Sequence, residues 1–198
     1  MIDFSKDPIE LFEGFLKEAF AKKVVEPNAM SLATVDANGV PSVRIVYHKG
    51  MVRGGLSFYT NYQGAKALDI EVNPTVCVNF FWGELAQQIR VTGKAVKLTR
   101  AESEAYFATR ARLSQLGAWA SHQSSEIPAY DYFKMKIDEY DKSFEGQAVP
   151  CPSNWGGYHI VPDEIEFWFG HQGRLHERYV FTRDGGAGGG WKTAMLSP

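Results

Sequence analysis

Arg174, His176 and Arg178 alternate with Leu175 and Glu177 inside residues 166–178, EFWFGHQGRLHER. If that run is extended, its period of two points the three basic groups to one side of a strand. Three cations on one face repel one another unless an anion lies between them, and a phosphate suits that gap. The same residues also suit a solvated edge strand, where charge discourages pairing with another sheet. A second set lies in residues 105–121, AYFATRARLSQLGAWAS. On a helix Tyr106 and Arg110 share a face, with Ser114 one turn further. A ring to stack on, a guanidinium and a hydroxyl form a coherent grip for a small phosphorylated aromatic, although an ordinary amphipathic helix has the same spacing. Arg44, in a strand of Val and Ile, is either a ligand-directed cation or a side chain snorkelling to solvent. Lys66 follows Gly64 and Ala65 near a helix start, where an ammonium and free backbone N–H groups can hold a phosphate together; a solvated lysine is the alternative.

The elements that must position these groups follow from periodicity. Ile9, Phe12, Phe15, Leu16, Ala19 and Phe20 fall at helical spacing behind Asp7 as a cap and Pro8 in the first turn. Residues 29–36 and 40–50 then read as a hairpin around Ala37, Asn38 and Gly39. Residues 55–61, 75–82 and 87–98 are further strands, with a short helix over 63–72 ended by Asn73 and Pro74. Thr99 and Glu102 form a capping box for a helix over 99–109, and helices follow at 113–120 and 130–144, with Pro128 between. Residues 146–157 read as a connection, with closing strands at 158–161, 165–169, 178–182 and 191–196. Residues 185–190, nearly all glycine, read as a flexible hairpin tip with no strand-to-helix context for a phosphate cradle. A meander of this kind must close or stack to remove its edges, so the expected fold is mainly β with flanking helices, a small antiparallel barrel.

Composition narrows the function. At 198 residues with a net charge of −2, the chain suits one domain over 1–198 and lacks the basic footprint of a nucleic-acid binder. Any anion site is therefore local. Cys77 and Cys151 have no Cys/His ligand spacing, which argues against a metal site; Cys77 reads as a small buried hydrophobe and Cys151 as a loop residue. No apolar stretch reaches the roughly 18 residues of a membrane span and no leader pattern opens the chain, so the expectation is a cytoplasmic protein without a membrane partner. There is no GxSxG, P-loop or HExxH, which suits an enzyme whose cofactor performs the difficult step.

The stretches RIVYHK, FYTN, GAKALDI, QQI, YFATRARLSQLGAWAS, QSS, WGG and EFWFGHQGRLHER, in this order from about residue 28 to the C-terminus, resemble the pyridoxamine 5'-phosphate oxidase family. The resemblance implies an FMN-binding split β-barrel homodimer, with an N-terminal helical segment at 1–27 and a dimerisation and signature region at 146–198. It implies oxidation of pyridoxamine 5'-phosphate or pyridoxine 5'-phosphate to pyridoxal 5'-phosphate, with oxygen as acceptor and hydrogen peroxide as co-product. By position, the implied FMN contacts are Arg44, Tyr59, Thr60, Lys66, Gln88, Gln123, Ser124, Trp168 and Arg178. The implied substrate contacts are Lys49, Tyr106, Arg110, Ser114, Arg174 and His176, the last two also carrying the catalytic role. A side-chain amide such as that of Gln88 suits the carbonyl and N–H edge of a flavin ring. Two positions depart from the pattern: Ala65 stands where members commonly have arginine beside the phosphate-binding lysine, and the C-terminal strand lacks an arginine two residues before its Ser-Pro end. The alternatives are a related flavin oxidase acting on another reduced ring, such as a dihydrophenazine carboxylate, and a non-catalytic flavin- or haem-binding split barrel.

Overall fold

A computed structural model describes residues 2–185 and 189–198; the centre of the glycine-rich run therefore lies outside the described residues. Helix α1 (Pro8–Ala21) starts where Asp7 accepts a hydrogen bond from the Ile9 N–H at 2.7 Å, with Pro8 opening the first turn. Strands β1 (Ala29–Val35) and β2 (Pro41–Tyr47) form the expected hairpin, Met30 opposite Val46 and Leu32 opposite Arg44. A two-residue strand β3 (Met51–Val52), too short to show periodicity, precedes β4 (Gly55–Asn61). Helix α2 (Ala65–Val72) leads to β5 (Thr75–Trp82) and β6 (Gln87–Lys97). Helices α3 (Arg100–Ala108), α4 (Arg112–Ala120) and α5 (Tyr130–Ser143) follow, α3 with both halves of its capping box made. The chain closes with β7 (Trp155–Phe169), β8 (Glu177–Arg183) and β9 (Trp191–Leu196).

The nine strands run in the order β2-β1-β5-β6-β7-β4-β3, with β8 pairing both β7 and β9. All pairings are antiparallel. The segment that follows β2 meets β4: the Lys49 N–H donates to the Ser57 carbonyl at 2.9 Å, and the Ser57 N–H to that of Gly50 at 3.0 Å. The sheet thus closes on itself beside Lys49, removing an edge. Residues 158–161 and 165–169 were expected as two separate strands. They lie in one 15-residue strand, β7, because Pro162 falls beside a register shift at Thr92/Gly93, where the ladder needs no amide from it. Its first half pairs β4 and its second half pairs β8, so β8 and β9 branch from the barrel.

Phe12, Phe58, Phe80, Tyr158, Phe167 and Phe181, each at most 1% exposed, fill the barrel and the space under α1. A second cluster, Phe107, Leu116, Val149 and Trp155, joins α3 and α4 to the start of β7. Cys77 and Cys151 are unpaired and half-buried, so Cys77 is less enclosed than its apolar run suggested. Among the described residues no helix is long and apolar enough to cross a membrane, and no group of three His, Cys, Asp or Glu could hold a metal ion.

Candidate active site

A cavity of about 760 Å³ lies between the ends of β2 and β4, the start of α2, and the α3–α4 pair. Lys49, Lys66 and Arg110 line it together with Tyr59, Thr60, Tyr106, Ser114, Gln123 and Trp155, and no aspartate or glutamate does. None of the three cations has a carboxylate partner among the described residues. Three positive groups around one hollow repel each other, and an anion relieves that repulsion.

One end is built on the start of α2. The Lys66 ammonium donates to Gln123 Oε1 at 2.8 Å and to Thr60 Oγ1 at 3.3 Å, and the Thr60 hydroxyl also donates to Gln123 Oε1 at 3.0 Å. The Ala65 N–H donates to Ser124 Oγ at 3.1 Å. A Cβ at Gly64 would meet Gln123 Oε1 at 2.5 Å, so the Gln123 side chain rests directly on the helix N-terminus. Burial, then the charge of nearby Arg44, lowers the Lys66 pKa. Arg44 does not line the cavity. Its guanidinium is tied to Thr34 Oγ1 at 2.6 Å, the Leu32 carbonyl at 3.2 Å and Asp69 at 3.7 Å, so it is neither snorkelling nor free.

The lining also includes Lys49, Tyr106, Arg110 and Ser114; the last three do not share one helix as expected, because α3 ends at Ala108 and α4 starts at Arg112, which leaves Arg110 in the break between them. Tyr59 and Tyr106 stack with centroids 3.8 Å apart, and the Arg110 Cζ lies 4.6 Å from the centroid of the Trp155 ring. Burial raises the Tyr59 and Tyr106 pKa values and lowers that of Arg110, whose Nη1 is buried without a hydrogen-bond partner. Trp155 and Phe133, which also line this hollow, escaped the reading of the residues; the WGG run was visible, but its indole meets Arg110 only through tertiary packing.

Gln88, Trp168, His176 and Arg178 lie outside this cavity and make a second patch, and Arg174 also lies outside it. Gln88 and Trp168 are opposite each other on β6 and β7, and Trp168 faces Arg178 on β8. The expected alternation of three cations on one extended face does not occur. Gly173 and Arg174 both take left-handed backbone, with φ of 68° and 61°, in a short 3₁₀ turn, and the strand starts only at Glu177. His176 folds back, its ring 4.7 Å from Trp168 and its Nδ1 accepting from the His171 N–H at 3.1 Å. Arg178 is held by Glu166, while Arg174 is exposed and without an ion pair among the described residues.

A family model described as pyridoxamine 5'-phosphate oxidase matches residues 16–144, and one described as the pyridoxine 5'-phosphate oxidase C-terminal dimerisation region matches residues 155–198. A curated pyridoxine/pyridoxamine 5'-phosphate oxidase of Bdellovibrio bacteriovorus is 59% identical over 198 residues, covering 100% of both chains. That of Rubrobacter xylanophilus is 47% identical, covering 97% of this chain and 87% of its own. Among solved structures, PhzG from Burkholderia lata 383, in complex with tetrahydrophenazine-1-carboxylic acid, has a TM-score of 0.91 at 31% identity, covering 97% of this chain and 93% of that one. A pyridoxamine 5'-phosphate oxidase-related, FMN binding protein of Nostoc punctiforme shares the fold, with a TM-score of 0.74 at 16% identity over 93% of this chain and 96% of that one. With both family models matched in sequence order and a relative alike over its whole length, the chain belongs to the pyridoxamine 5'-phosphate oxidase family.

Proposed function

We propose that this protein is an FMN-dependent oxidase that converts pyridoxamine 5'-phosphate or pyridoxine 5'-phosphate to pyridoxal 5'-phosphate. The observation that carries the reading is the carboxylate-free cavity lined by three cations, which suits two phosphorylated aromatic molecules side by side. The names of the relatives from B. bacteriovorus and R. xylanophilus support it.

Lys66, Thr60, Gln123, Ser124 and the first N–H groups of α2 suit the phosphate of FMN, with Arg44 adding positive potential behind them. Tyr59 borders the same hollow. When bound, FMN supplies a two-electron acceptor that oxygen reoxidises, giving hydrogen peroxide. Lys49, Tyr106, Arg110 and Ser114 hold the substrate phosphate, and Arg174 and His176 orient its ring. The protein contributes mainly proximity and orientation.

The site needs a second copy of the chain. Gln88, Trp168, Arg174, His176 and Arg178 sit outside the cavity, while Val43 and Ile45 on neighbouring β2 are 67% and 59% exposed, a surface suited to covering. The match to a dimerisation region supports a homodimer of 198-residue single-domain chains, in which the signature patch of one copy faces the cavity of the other. The test is an absorbance scan of the purified protein before and after anaerobic addition of pyridoxamine 5'-phosphate. Bleaching of the flavin band is expected. Bleaching by a reduced phenazine carboxylate and not by the vitamer would give the site the other chemistry, and a yellow protein inert to both would make it a binding protein.

A further inference from the structure

Arg110 is a half-buried guanidinium with no acid beside it among the described residues. Its Nη1 is enclosed and unpartnered, and no carboxylate of the described residues reaches it. Something other than an ion pair must hold it in place. The Cζ lies 4.6 Å from the centroid of the Trp155 ring and 5.4 Å from that of Phe107, and the Phe107 ring meets the indole edge-on at 5.0 Å. An indole face attracts a guanidinium without using any of its N–H donors, which a carboxylate would occupy.

Trp155 is itself fixed. It is 5% exposed, and its ring is nearly parallel to those of Tyr59 and Tyr106, at interplanar angles of 11° and 4°. The turn before it is gripped from α3: Arg100 Nη1 donates to the carbonyls of Pro152 at 2.7 Å and Trp155 at 3.3 Å.

We infer that Trp155 is a positioning residue for substrate phosphate recognition: its indole face holds the Arg110 guanidinium in the cavity with its donors free for the anion. The inference rests on the proposed function for the identity of the phosphate, though not for its charge. It separates Trp155 from the hydroxyl and cationic groups of the cavity, because Trp155 contributes no hydrogen bond to the anion and acts through Arg110.

The test compares W155L and W155F holoenzymes with wild type, each also in an Arg110→Ala background. W155L is expected to raise the KM for pyridoxamine 5'-phosphate roughly tenfold with kcat within about twofold and bound flavin per subunit unchanged; W155F, which keeps an aromatic face, should recover part of that loss. In the Arg110→Ala background W155L should change KM by less than about twofold, because its partner is gone. Calorimetric titration with inorganic phosphate reads the same coupling without turnover, so a wild type that binds phosphate but leaves the vitamer unoxidised removes the proposed function and still tests Trp155. The inference is overturned by an unchanged KM and phosphate affinity in folded W155L, by a full additional loss in the Arg110→Ala background, by kcat and flavin content falling together with affinity, or by a wild type that binds no phosphate. If W155L does not fold, W155F alone decides: an unaltered phosphate affinity that is equally unaltered by Arg110→Ala overturns it.

Discussion

Glu166 holds Arg178 through two hydrogen bonds, Nε to Oε1 at 2.7 Å and Nη2 to Oε2 at 3.1 Å, from a position 3% exposed. The same carboxylate lies 3.5 Å from Arg90, so one buried acid answers two guanidiniums on β6 and β8. Arg178 also donates from Nη1 to the Ser197 carbonyl at 3.2 Å, which ties the C-terminus to the sheet. Glu166→Gln keeps the shape and removes the charge. Since both arginines keep some solvent contact, the expected loss is about 2 kcal/mol of stability, below that of a fully buried pair. Urea denaturation checks it, and an unchanged midpoint would make the pair decorative.

Arg174 is the cation that this pairing leaves over. It stands exposed in left-handed backbone, a conformation that costs a non-glycine residue about 1 kcal/mol. A residue kept there against its backbone preference is a candidate for function. Arg174→Gly should leave the melting temperature unchanged or higher while kcat/KM falls on the order of a hundredfold and flavin stays bound. Retained turnover would remove Arg174 from the site.

Local signals in the sequence located most elements, because capping, turn and periodicity rules act within a few residues. Asp7 and Pro8 start α1, Thr99 and Glu102 cap α3, and Gly39 turns the first hairpin with φ of 80°. The failures have long-range causes. Alternation suggested that Arg174, His176 and Arg178 share a face, but the left-handed pair Gly173 and Arg174 breaks the strand, and His176 folds onto Trp168. Residues 158–161 and 165–169 read as two strands, yet they are one, because the bulge beside Pro162 makes its missing N–H harmless. The grouping of Lys49, Lys66 and Arg110 was legible only through resemblance, since they come from three stretches far apart in the chain, after β2, in α2 and between α3 and α4. The support of Arg110 by Trp155, 45 positions along the chain by their numbering, left no local trace.

Ala65 opens α2 with its N–H on Ser124 Oγ and its side chain exposed. The family resemblance implies an arginine there, so Ala65→Arg places a cation beside the proposed FMN phosphate site. A positive charge at a helix N-terminus opposes the helix dipole, so the apoprotein should lose about 0.5 kcal/mol. With the anion bound the sign reverses, and a charge-assisted hydrogen bond tightens FMN roughly tenfold. Fluorescence titration of apoprotein with FMN reads the second effect and thermal melting the first. Equal FMN affinity in both proteins would mean that the arginine at this position does not reach the phosphate.

His48 precedes Lys49 at the barrel seam and is 5% exposed, its ring edge-on to Phe12 at 5.6 Å and Phe80 at 6.1 Å, with Nδ1 unpartnered. Burial among these rings lowers its pKa from 6.5 to about 4; a backbone hydrogen bond involving Ser57 opposes the shift, and the neighbouring Lys49 charge adds to it. The folded protein therefore carries His48 neutral, and the unfolded chain takes up the proton first as pH falls. Its contribution is complete above pH 6.5, declines below that and is gone near pH 4. At about 1.4 kcal/mol for each pH unit of that gap, the full loss is about 3 to 4 kcal/mol. Urea midpoints measured from pH 7.5 to 4.5 should fall more steeply for wild type than for His48→Phe, which keeps a ring against Phe12 and has no proton to bind. Parallel curves for the two proteins would mean that the acid sensitivity of this fold arises elsewhere.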